Sequence, residues 1–183
     1  MKRTTDLRTI RQRCEARLRS LPLPDPFDLD DFCAALSEQR GRPILLEATP
    51  QMESPAELGS PAGLWMAGTS LDVIFYDAET SPMHQEHIIL HELSHLLCGH
   101  HAQVIAEPGF SELLLPDMSR EIVLGARGRT LSYSDDEEQE AEMLASLIAE
   151  HAKRHRGTTP PALARTGGTI ARLEGVLEEG IER

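Results

Sequence analysis

Three shortages bound what this chain can be. Basic residues are outnumbered: 18 Lys and Arg face 30 Asp and Glu, a formal net charge of -12. That balance argues against direct nucleic-acid binding, which favours a positive surface. Cysteine is scarce, and Cys14, Cys33 and Cys98 show no C-x-x-C spacing. A disulfide framework is therefore not expected, and a reducing cytoplasm is the simplest compartment. Long apolar runs are missing as well. The start has no apolar signal-peptide core and no stretch reaches the length of a membrane span, so no membrane association is expected. Aromatics make up only 4%, yet the 40% apolar fraction is ordinary and gives no sign of disorder over the whole length. At 183 residues the chain suits one domain with a sizeable core.

What is present centres on His91-Glu92-Leu93-Ser94-His95, the H-E-x-x-H pattern of many metallopeptidases. On an α-helix, two histidines four apart lie one turn apart on one face, so both imidazoles can reach one ion. Glu92 stands beside that face, about 100° from His91 and about 60° from His95. There it suits a general base acting on metal-activated water. The flanks fit a helix: His84 and His87 share the histidine arc, while Ile89, Leu90, Leu93, Leu96 and Leu97 form a separate apolar arc. Ser81 caps the start with Pro82 in the first position, and Gly99 ends it, with His100 and His101 just beyond. Cys98 lies near the histidine arc and reads as a half-buried small apolar residue, a thiolate ligand being the alternative.

Residues 1–20 gather Lys2, Arg3, Arg8, Arg11, Arg13, Arg17 and Arg19 against only Asp6 and Glu15. This reads as the solvated face of a helix over 5–20, with docking to an acidic partner as the sharper alternative. A proline-rich connection follows over 21–26. Asp28 caps a helix over 29–40 that Gly41 stops. Strands are expected at 43–48, 63–67 and 71–76, the last two as a hairpin with the first beside it. The stretch 102–133 carries little pattern beyond the run Leu113–Pro116; it reads as structural packing, with a lid over the metal cleft as the sharper alternative. Ser134-Asp-Asp-Glu137 is a capping box that opens a helix reaching His151. This order of helices and strands is α+β. It divides into an N-terminal basic helix and connection (1–27), a central domain (28–156) and a tail (157–183) with an expected last helix.

A catalytic metal site needs a third protein ligand and an open position. Glu138, Ala141, Ala145 and Ile148 share one helix face, so Glu138 continues an apolar stripe. That is a costly place for a carboxylate unless it is paired or ligates a metal. Glu138 is therefore the leading third ligand and Glu140 its main rival. Glu142, one turn further on, is placed to hydrogen-bond a ligating imidazole. His91, His95 and Glu138 make a donor set suited to one Zn2+ per chain, with Mn2+ or Fe2+ as alternatives. Arg127, Arg129 and Tyr133 read as surface or packing residues, with donation to a tetrahedral oxyanion as the sharper alternative.

The run Ile88-Ile-Leu-His-Glu-Leu-Ser-His-Leu-Leu97, preceded by Asp72-Val-Ile-Phe-Tyr76, resembles the core of the ImmA/IrrE family of zinc metallopeptidases. The later Glu138-Gln-Glu-Ala-Glu-Met-Leu-Ala145 resembles that family's second motif. Glu142 stands where Asn or Asp is usual there, Leu144 where Phe is usual, and the spacing between the motifs is long. The resemblance covers residues 28–150. It implies a mainly helical, zincin-like α+β domain with a small three-stranded sheet packed on the motif helix. It further implies zinc held by His91, His95 and Glu138, with Glu92 as the base. Relatives in that family are soluble bacterial proteins often paired with a helix-turn-helix repressor, which some of them cleave. The expected function is thus a cytoplasmic zinc endopeptidase that hydrolyses a peptide bond in such a regulator as a switch. The alternative is a non-catalytic, metal-containing regulatory or toxin–antitoxin-like module that binds a transcription factor, its acidic surface suiting a basic partner.

Overall fold

The computed structural model describes residues 6–49, 63–67, 71–100, 103–105 and 130–157. Its helices begin and end where capping chemistry dictates. Helix α1 (Leu7–Leu18) opens on Asp6, whose carboxylate accepts from the Arg8 N–H. Helix α2 (Leu29–Arg40) opens on Asp28, which accepts from the N–H groups of Asp30 and Asp31, and closes on Gly41 at φ 63. Helix α3 (Pro82–Cys98) opens on Ser81 and closes on Gly99 at φ 69. Helix α4 (Asp135–His155) opens on the Ser134–Glu137 capping box and runs past the expected end at His151. The caps satisfy N–H groups that a helix start leaves without partners, and glycine takes the left-handed turn without a Cβ clash.

Strands β1 (Ile44–Thr49), β2 (Gly63–Ala67) and β3 (Asp72–Asp77) form one sheet in the order β1-β3-β2. β2 and β3 are an antiparallel hairpin, and β1 runs parallel to β3. The central strand carries the most apolar run and is buried from Asp72 to Tyr76. A second, two-stranded ribbon pairs β4 (Gln103–Ile105) with β5 (Thr130–Ser132). The sequence did not suggest it, because three-residue strands carry too little alternation to read. The ribbon joins the two ends of the stretch 102–133. The interior of that stretch, with Leu113–Pro116, Arg127, Arg129 and the lid reading, lies outside the described residues. So do His101 and the tail beyond Gly157. Among the described residues, four helices and two small sheets make an α+β fold, and no helix is long and apolar enough to cross a membrane.

One core joins these elements: Ile10 and Cys14 from α1, Phe32 and Leu36 from α2, Ile74 and Tyr76 from β3, Ile89, Leu90 and Leu93 from α3, and Leu144, Ala145 and Ile148 from α4. Helix α3 lies between the sheet and α4, and α1 packs on α4. Ala141 and Ala145 are fully buried, so small side chains stand where α4 meets its neighbours. The basic face of α1 is not wholly solvated. Arg13 pairs with Glu140 at 3.0 Å, and Arg17 donates to the Leu97 carbonyl, whereas Arg8, Arg11 and Arg19 stay exposed.

Asp72 is the buried charge of the sheet, with no exposed surface. Arg40 donates to it at 2.9 Å, Arg42 at 3.1 Å and the Trp65 indole N–H at 3.1 Å. A buried carboxylate is tolerated only with donors of this kind, and removing one side of such a cluster strands the other. Both arginine side chains stay partly exposed (31% and 29%), which moderates the loss. Asp72→Ala is therefore expected to cost about 3 kcal/mol, the lower end for a broken buried ion pair. Asp72→Asn is expected to cost less. Urea denaturation followed by the fluorescence of Trp65, the chain's single tryptophan, measures both. Equal stability of the alanine variant and the parent would reject this role.

Candidate metal centre

The apolar arc of α3 fixes its rotation against the core, and that rotation turns His91 and His95 toward the first turn of α4. His91 Nε2 and His95 Nε2 lie 3.1 Å apart. Glu138 Oε2 lies 3.3 Å from the first and 3.8 Å from the second. A tetrahedral ion with bonds of about 2.0–2.1 Å requires ligand atoms about 3.3–3.4 Å apart. The observed triangle has that size. It is also the one group of His, Cys, Asp and Glu side chains among the described residues that is gathered closely enough to hold a metal ion. His95 is fully buried and His91 has 24% of its side chain exposed, while Glu138 is half exposed at 47%. Glu138 was expected to extend the buried stripe of α4. In fact burial begins at Ala141, and Glu138 stands at the open end of the triangle.

Glu92 is buried, only 7% exposed. Its Oε2 accepts the Trp65 backbone N–H at 2.9 Å. That contact requires the edge strand β2 to come close to α3, and Gly63 permits it. A Cβ at position 63 would lie 2.5 Å from Ile88 Cγ2 and 3.0 Å from Glu92 Cγ, too near for any side chain. Burial pushes the Glu92 carboxyl up to about 7, against opposing pulls from His91 and the Trp65 N–H, with the Glu138 charge adding to the rise. Glu138 moves the other way, down to about 2, because its hydrogen bonds to His91 and His95 favour the anion. His91 is raised in turn, chiefly by the same Glu138 bond. Two carboxyls with separated proton affinities suit two roles: a permanent anion at the cation position, and a group that exchanges a proton near neutrality.

The outer faces of the two imidazoles are also occupied. Glu142 Oε2 lies 3.4 Å from His91 Nδ1 and 3.4 Å from His87 Nε2. His100 Nδ1 lies 3.0 Å from His95 Nδ1. Burial, then the neighbouring His95, hold His100 below the ordinary histidine range. The Tyr133 ring stacks on the His95 ring, centroids 3.6 Å apart and planes 19° from parallel. Its hydroxyl is buried and makes no hydrogen bond among the described residues. Burial, reinforced by the charges of Glu92, Glu138 and Glu137, pushes that phenol above its ordinary range, so it keeps its proton.

Of the sequence candidates, His91, His95, Glu92, Glu138, Glu142 and Tyr133 thus converge on one place. Glu140 does not: it faces Arg13 and His100 instead. Cys98 packs against the core, where burial pushes its thiol up to about 12, and it is not in the group gathered around His91, His95 and Glu138. His84 is exposed on the first turn of α3. Sequence reasoning missed Gly63, Trp65 and the contact role of His100. A backbone N–H and a close approach leave no side-chain signature, whereas His100, directly after the helix-ending Gly99, was visible as a residue without a role. Compared with models of protein families, with curated proteins and with solved structures, the chain matches none.

The Glu92 shift carries a stability consequence. The unfolded carboxyl ionises near 4.5 and the folded one near 7. Between those values the folded chain binds the extra proton, so Glu92 lowers stability progressively as pH rises through this window. The full cost, about 3 kcal/mol at 1.36 kcal/mol per unit, is present above it. Gln at this position keeps an acceptor for the Trp65 N–H and never ionises. With a chelator present, Glu92→Gln is expected to be more stable than the parent at about pH 8 by up to about 3 kcal/mol, with the gap closing by about pH 4.5. Urea midpoints across that range measure it, and a Gln variant less stable at the alkaline end contradicts it.

Proposed function

We propose that this protein is a zinc-dependent metallo-endopeptidase of the ImmA/IrrE type, with a zincin-like fold, acting on a peptide bond of one partner protein. The observation that carries the reading is the His91, His95 and Glu138 triangle with a buried Glu92 beside it. Zinc fits the donor set, two imidazoles and a carboxylate at tetrahedral spacing with a position left over. When bound, it supplies Lewis acidity and makes water a nucleophile at neutral pH.

The chain's own residues supply the rest. Glu92, with a proton affinity near the working pH, takes a proton from the attacking water as the water oxygen bonds to the scissile carbonyl carbon. It then delivers that proton to the departing amine as the C–N bond breaks. The Trp65 N–H holds the Glu92 carboxylate in place through both transfers. The protonated Tyr133 hydroxyl is the candidate donor to the developing oxyanion, since it keeps its proton and has no hydrogen-bond partner among the described residues. The net charge of -12 favours a basic partner, and a helix-turn-helix repressor has that character. The cytoplasm is the matching compartment.

Metal analysis of the purified chain tests the reading. About one zinc per chain is expected in the parent, with marked loss in His95→Ala and Glu138→Ala. Glu92→Gln is expected to keep its zinc and its partner, and to lose cleavage by about 100-fold or more. Cleavage that survives in Glu92→Gln rejects the assigned base. Metal-loaded protein that binds a regulator without cutting it favours the binding module instead.

A further inference from the structure

His100 is buried, and its place follows from one backbone device. Gly99 ends α3 in the left-handed conformation. Its N–H bonds the Leu96 carbonyl at 3.2 Å, and the His100 N–H bonds the His95 carbonyl at 3.0 Å. This pair of bonds is a Schellman turn, which folds the chain back on the last turn of its helix. The His100 ring is thereby brought to His95, with the two Nδ1 atoms 3.0 Å apart. On its far side His100 Nε2 faces Glu140 Oε2 at 3.6 Å, and the same oxygen accepts from Arg13 Nη2 at 3.0 Å.

The positions of the protons follow. His95 turns Nε2 toward His91 and Glu138, and a ligating nitrogen must be bare, so its proton sits on Nδ1. That proton points at His100 Nδ1, which must accept it. His100 then carries its own proton on Nε2, facing the Glu140 carboxylate. Reversing the His95–His100 link moves the His95 proton to Nε2, where it faces His91 and Glu138, and turns a bare His100 Nε2 toward the Glu140 carboxylate. We propose that His100 is the positioning residue of the ligand His95, fixing its tautomer and ring plane as the first link of a chain that runs through Glu140 to Arg13 of α1. This rests on the metal-centre reading above. The chain gives the two ligands unequal support: His91 has a carboxylate, Glu142, directly at Nδ1, whereas His95 reaches one through a neutral imidazole. It also makes α1 part of the site's support, because the far carboxylate is oriented by an arginine of that helix.

Cobalt titration of the full chain, read by visible absorption against a competing chelator, tests the chain of contacts, together with 15N spectra of the ring nitrogens in the zinc-loaded protein. His100→Phe keeps a ring but offers no acceptor. His100→Asn sets an amide oxygen near the Nδ1 position. The Phe variant is expected to bind Co2+ roughly 10–100-fold more weakly, the range for loss of a ligand's outer hydrogen bond. The Asn variant is expected to recover most of that loss, and Glu140→Gln to fall between the Phe variant and the parent. Spectra of the parent are expected to show His95 protonated at Nδ1 and His100 at Nε2. Cobalt affinity unchanged in the Phe variant, or an Asn variant no better than Phe, overturns the proposal and leaves the metal centre standing. A parent chain that binds no cation overturns the metal centre, and the positioning role falls with it.

Discussion

The burial of one carboxylate, Glu92, is the constraint around which the rest of the structure is arranged. A helix carrying H-E-x-x-H can show its glutamate to solvent at no cost. Here the glutamate is instead covered, with the Trp65 backbone N–H as its one hydrogen-bond donor among the described residues. That cover is an edge strand, and it fits because Gly63 has no side chain. The strand is held in turn by Trp65, whose backbone donates to Glu92 and whose indole donates to Asp72. Asp72 is clamped by Arg40 and Arg42 at the end of α2. A structural ion cluster and a proton-exchanging carboxylate thus share one tryptophan. The destabilisation of burying Glu92 is offset by interactions that a local view of the site would assign to the scaffold.

Electrostatics divides the site. Glu92 and Glu138 are the same residue type, and their environments move them in opposite directions. Apolar cover raises the first, and two imidazole partners depress the second. Neither shift follows from sequence, because both depend on what lies across a helix interface. In the sequence Glu138 stands out as a carboxylate continuing the apolar stripe of α4. In the structure that stripe begins at Ala141, and the carboxylate is half exposed. Its opposition to the two histidines, not burial, is what distinguishes it from Glu140.

What was legible in the sequence was what local chemistry controls. Asp28, Gly41, Ser81, Gly99 and the Ser134–Glu137 box each mark a helix end at the residue observed, because capping involves groups only a few positions apart. The hairpin of β2 and β3 was legible from turn residues and β-branched content, although β3 starts one residue later than expected. Illegible parts depend on distant partners. The Asp72 cluster joins residues from three elements, and the Tyr133 stack needs the ribbon β4–β5, whose strands are too short to announce themselves. The arginines of α1 were legible as charge but not as contacts, since Arg13 and Arg17 find their partners on α4 and at the end of α3.

The start of α4 shows how few residues can set several positions at once. Ser134 accepts from the Glu137 N–H, and the Glu137 carboxylate accepts from the Ser134 N–H and hydroxyl. This box satisfies two backbone N–H groups and ties the residue before the helix to its first turn. Tyr133 immediately precedes it and Glu138 immediately follows it, so both are carried by one rigid turn. The ring lands on His95 and the carboxylate lands between the two imidazoles. A change in the entry angle of α4 would move the stacked ring and the Glu138 carboxylate together. The cap therefore also positions two members of the candidate metal centre, Tyr133 over His95 and Glu138 beside both imidazoles. The same holds at the other end of the site, where the turn at Gly99 carries His100 to the opposite side of the same imidazole.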